Sequence, residues 1–103
     1  MQTYTTPGGP TVPPNVNAVQ QLMVRADAAP DHPALAYRDG DHFTSVSTRE
    51  FWETVRELAA GLVAAGIKKG DRVALHCGTR IEFTYFDYAI WAAGAATTTI
   101  YET

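Results

Sequence analysis

Three groups of residues in this 103-residue chain have types and spacing that could do chemistry. The turn Gly78-Thr79-Arg80 lies between a strand-like run and a helix-like one, where anions bind readily in α/β proteins. Neither G-x-G-x-x-G nor G-x-x-x-x-G-K-[ST] occurs in the chain, and both phosphate-binding loops need more glycine than one turn supplies. A plain strand-to-helix turn is the reading adopted. The histidines His32, His42 and His76 share no metal-ligand spacing with one another or with Cys77. They read as loop, hairpin and strand residues, and Cys77 as a small apolar side chain, unreactive if buried. Glu53 with Glu57, and Asp39 with Asp41, pair carboxylates on a helix face and in a turn. Acid–base catalysis needs a cleft that shifts one of the two pKa values, and these are solvated positions. The expectation is therefore no catalytic, cofactor-binding or metal-binding residue in this chain.

Composition agrees with that modest chemistry. The net charge of −3 comes from 8 basic and 11 acidic residues in a mixed pattern. It offers no basic stripe for nucleic acid or anionic lipid. One cysteine forms no internal disulfide, and MQTYTTPGGPTVPP has neither the basic nor the apolar region of a secretory signal. A reducing, cytoplasmic setting is expected. The closing run Tyr88–Tyr101 has fourteen residues without a charge, short of the ~20 needed to span a bilayer. No transmembrane segment is expected.

The elements that would position these residues are legible from pattern. Residues 1–14 hold four of the six prolines and four threonines, so a flexible tail is expected there. Asn17–Ala29 reads as a helix with Asn17 and Gln20 as a capping box and Pro30 and Pro33 as stops. Ala34–Arg38 and His42–Val46 read as strands joined at Asp39-Gly40, a strong hairpin signal. Ser47 and Glu50 form a second capping box ahead of a helix with Phe51, Val55, Leu58 and Leu62 on its apolar face, ended by Gly66. Val73–Cys77 suits a strand buried on both faces. Thr79 and Glu82 read as a third capping box, opening a helix that runs to about Ala93 and stops at Gly94. Trp52, Phe83, Phe86, Tyr88 and Trp91 have the spacing of core packing. Ala95–Tyr101 reads as a further strand, apolar because interior. Helix, hairpin, then strand–helix–strand implies an α/β fold with parallel strands covered by amphipathic helices.

The order of these features carries a resemblance. Thr44-Ser45-Val46-Ser47-Thr48-Arg49-Glu50-Phe51 leads to Leu58-Ala59-Ala60-Gly61-Leu62. Then come Gly70-Asp71-Arg72-Val73-Ala74-Leu75, Thr79-Arg80-Ile81-Glu82-Phe83-Thr84, Asp87-Tyr88-Ala89-Ile90-Trp91 and Ile100-Tyr101-Glu102-Thr103. The series resembles the start of the AMP-forming acyl-CoA synthetases, within the adenylate-forming family. Asp-Tyr-Ala-Ile-Trp and Ile-Tyr-Glu-Thr are similar to the long-chain fatty acid–CoA ligase branch of actinobacterial type. The likeness spans residues 15–103, read as the incomplete start of an AMP-binding domain. Thr99 departs from the branch, which usually has proline there.

For a complete protein the resemblance implies fatty acid, ATP and CoA going to acyl-CoA, AMP and pyrophosphate through an acyl-adenylate, with Mg²⁺ steadying phosphate charge. The Ser/Thr/Gly-rich loop ending Pro-Lys-Gly, the adenine- and ribose-binding elements and the C-terminal lysine are absent from these residues. None of the family's functional residues carries over, and the chain itself is expected to be inactive and to bind no cofactor. The rest of the synthetase domain is the expected partner, covering the apolar sheet edge. Nucleic acid is not expected, and peripheral membrane association stays open. Two alternatives remain: a stand-alone interaction module or truncated remnant of the same fold, and an aryl-acid or amino-acid adenylating relative.

Overall fold

The computed structural model describes residues 2–101, so Glu102 and Thr103 of the closing motif lie outside the described residues. Residues 2–13 carry no helix or strand and are exposed. The first helix, α1 (Ala18–Ala28), starts as expected: the Asn17 side chain accepts from the Gln20 amide at 2.9 Å, and Gln20 returns the bond to the Asn17 amide at 3.3 Å.

Strands β1 (Pro33–Asp39) and β2 (His42–Ser47) form an antiparallel hairpin with Asp39 opposite His42. The loop is Gly40-Asp41, one residue later than expected. Gly40 has φ 66°, and among the described residues no non-glycine residue has positive φ, which is the pattern of a type II′ turn with glycine at its first position.

Helix α2 (Thr48–Ala64) begins directly on β2. Ser47 accepts from the Glu50 amide at 3.2 Å, but the return bond of a capping box is not made. The loop after α1 does that work instead. The Pro30 carbonyl takes the Arg49 amide at 3.0 Å, and the His32 carbonyl takes both the Thr48 amide at 2.8 Å and its hydroxyl at 2.7 Å. The amides at the head of the helix thus find partners that sequence-local reasoning could not supply.

The second sheet is parallel: β3 (Arg72–His76) lies beside β4 (Ala96–Ile100), connected through α3 (Ile81–Ala92). Both α2 and α3 end in the same way. The Ile67 amide reaches the Leu62 carbonyl and Gly66 reaches Val63; Ala95 reaches Ile90 and Gly94 reaches Trp91, each at 3.0 Å. These are paired Schellman bonds, which satisfy the last carbonyls of each helix. The second of these ends feeds the sheet. Gly70 donates to the Gly94 carbonyl at 2.9 Å, and Ala96 donates to the Asp71 carbonyl at 2.8 Å.

Leu22, Val46, Phe51 and Val55 form the core between α1, the hairpin and α2, with Tyr85, Tyr88 and Ile81 of α3 packed against it. Phe51 stands at 5.4 Å from the Tyr85 ring and 5.2 Å, edge-on, from Tyr88, separations at which ring quadrupoles add to burial. Two burial expectations are overturned. In β3 only Leu75 is buried, and His76 is exposed; in β4 only Thr97 is even half-covered. The strands have the composition of interior strands, but among the described residues α3 packs on this sheet and both outer edges are unpaired. Helix α3 differs from α2 as well: Ile81 to Tyr88 are all half-buried, so its first two turns have no fully exposed face.

Candidate functional site

A concavity of about 830 Å³ lies where the β1 segment Leu35–Arg38 faces the head of α3, and it takes in Thr79, Arg80 and Glu82. This is where the only phosphate-like turn of the sequence sits. Its geometry is unsuited to an anion. The helix is capped by Arg80 in extended conformation with no side-chain cap bond, so the expected Thr79–Glu82 capping box does not form. The helix starts one residue too late for Thr79 to reach the right amide. Glu82 instead turns to Arg80, whose Nε and Nη2 donate to its two carboxylate oxygens at 2.7 and 3.1 Å.

That fork is the charge-assisted, two-bond arrangement that an incoming phosphate would require. Its hydrogen bond from Arg80, and then the bond to its own backbone, hold the Glu82 carboxyl below the usual carboxylate range, while Arg80 is pushed upward. An anion here would have to displace a carboxylate from the guanidinium. Deeper in the groove, burial raises the Tyr85 phenol above its ordinary range, with the charges of Glu50, Tyr37 and Glu82 adding to it. Tyr37 and Arg38 carry no functional signal in the sequence, and Tyr85 reads there only as a polar position on a covering helix, because only the tertiary contact of hairpin and helix brings the three to one wall.

The other weighed residues are not brought together. His42 stands near Asp41 at 3.4 Å and Asp39 at 3.8 Å on the exposed hairpin tip. His32 contributes its carbonyl to the head of α2 rather than its imidazole. Cys77 is half-buried with a free thiol. Among the described residues, no three His, Cys, Asp or Glu side chains converge on a metal-sized site. No helix among them is long and apolar enough to cross a membrane. Among the motif residues, Asp71 accepts the Lys68 amide on its carboxylate at 2.8 Å and so shapes the turn that starts β3.

Comparison with known proteins places this arrangement. The family model described as AMP-binding enzyme matches residues 22–103. A long-chain fatty acid–CoA ligase of Mycobacterium bovis is 32% identical over the whole of this chain, which covers 17% of that protein. The acetoacetyl-CoA synthetase of Streptomyces lividans superposes with a TM-score of 0.76 at 30% identity, over 82% of this chain and 13% of its own. The N-terminal subdomain of Klebsiella oxytoca NpsA superposes with a TM-score of 0.72 at 25% identity, over 81% of this chain and 21% of its own. The chain thus spans about a fifth or less of each.

Proposed function

The chain belongs to the family of AMP-binding enzymes, and from that membership we propose that it is the N-terminal part of a long-chain fatty acid–CoA ligase. The observation that carries the proposal is the end-to-end alignment with the mycobacterial ligase at 32% identity. In the complete enzyme a fatty acid carboxylate attacks the α-phosphate of ATP and releases pyrophosphate. The CoA thiol then displaces AMP from the acyl carbon. Fatty acid, ATP and CoA are accordingly the proposed substrates, and a cytoplasmic location suits their supply. Mg²⁺ is proposed for the complete enzyme, where it would steady the phosphate charge of ATP.

The contribution of these residues is structural. Residues 15–103 are proposed as the start of the AMP-binding domain, preceded by a tail rich in proline, glycine and threonine. Helix α3 supports the parallel pair β3 and β4, and the remainder of the domain covers their exposed face and edges. Support for that cover comes from Trp91, Ile100 and Tyr101, which are 40%, 45% and 86% exposed. A stand-alone module draws less support, because uncharged open strands such as Ala96–Ile100 invite self-association.

A chimaera tests the proposal. This chain replaces the matching residues of the mycobacterial long-chain ligase, and ATP- and CoA-dependent formation of palmitoyl-CoA is measured. The expected result is a folded, active chimaera. A chimaera that folds but lacks activity, while the same exchange into an aryl-acid ligase gives an active enzyme, would overturn the long-chain assignment in favour of the aryl-acid relative.

A further inference from the structure

We draw no further inference here: the strongest candidate, the open groove of about 510 Å³ between α1, β1 and α3 that is floored by Leu22, Phe51 and Tyr88 with Arg25 at its rim, is an unpartnered apolar face, and nothing in the structure shows what covers it.

Discussion

Arg80 and Glu82 stand two positions apart at the head of α3, and their mutual fork decides what that turn can do. Glu82 is depressed in the folded chain, so the pair's contribution is present above the unfolded carboxylate pKa. It is lost as pH falls through the lower folded value. Arg80 is exposed and Glu82 only half-buried, so the effect on stability is small and the titration itself is the better readout. By NMR, Glu82 is expected to titrate below the ordinary carboxylate range, and Arg80→Ala to raise it toward that range. A Glu82 that titrates normally in both would show that the fork does not form in solution. Burial decides the second residue-scale prediction. Ile90 is 1% exposed and Phe43 is 72% exposed. Ile90→Ala should destabilise the chain by about 2–5 kcal/mol in urea melts, and Phe43→Ala by within about 0.5 kcal/mol. Equal losses would mean that α3 does not pack as described.

At the scale of elements, the three helix starts separate what sequence reveals from what it does not. Asn17 and Gln20 cap α1 as their spacing implies, because a capping box is closed by bonds three residues apart and needs nothing from elsewhere. Ser47 caps α2 from one side only, since the Pro30 and His32 carbonyls come from a loop that adjoins it only once the hairpin has folded back. Thr79 caps nothing, because the Arg80–Glu82 fork and the extended backbone at Arg80 move the start of α3. Ser47→Ala should therefore cost about 1 kcal/mol, and Thr79→Ala within about 0.5 kcal/mol, measured by chemical denaturation. A Thr79→Ala loss as large as that of Ser47→Ala would restore the cap that the structure denies. The hairpin and the βαβ order were likewise legible, from Asp39-Gly40 and from alternating β-branched and helical runs. The burial of β3 and β4 was not. A strand's apolar composition reports the surroundings it suits, whereas its exposure depends on which neighbours are present. The groove beside Arg80 has no local signal for a related reason: Tyr37 and Tyr85, which line it together, lie 48 positions apart in the chain.

Over the whole molecule, a core built on Val46, Phe51 and Val55 stands beside a two-stranded parallel sheet with open edges. The first is what an independent unit needs, and the second is what an element of a larger sheet looks like. Gly70-Asp71-Arg72-Val73, one of the motifs behind the family resemblance, illustrates the division. Its Asp71 shapes a turn and its backbone joins β3 to β4, so the task seen for it is architectural. On the proposed function, these residues carry the family's framework and the ATP chemistry resides in the rest of the enzyme. The most direct test is ATP–pyrophosphate exchange by the purified 103-residue chain with Mg²⁺ and a long-chain fatty acid. The account predicts exchange no faster than in protein-free controls. Fatty-acid-dependent exchange by the chain alone would contradict it.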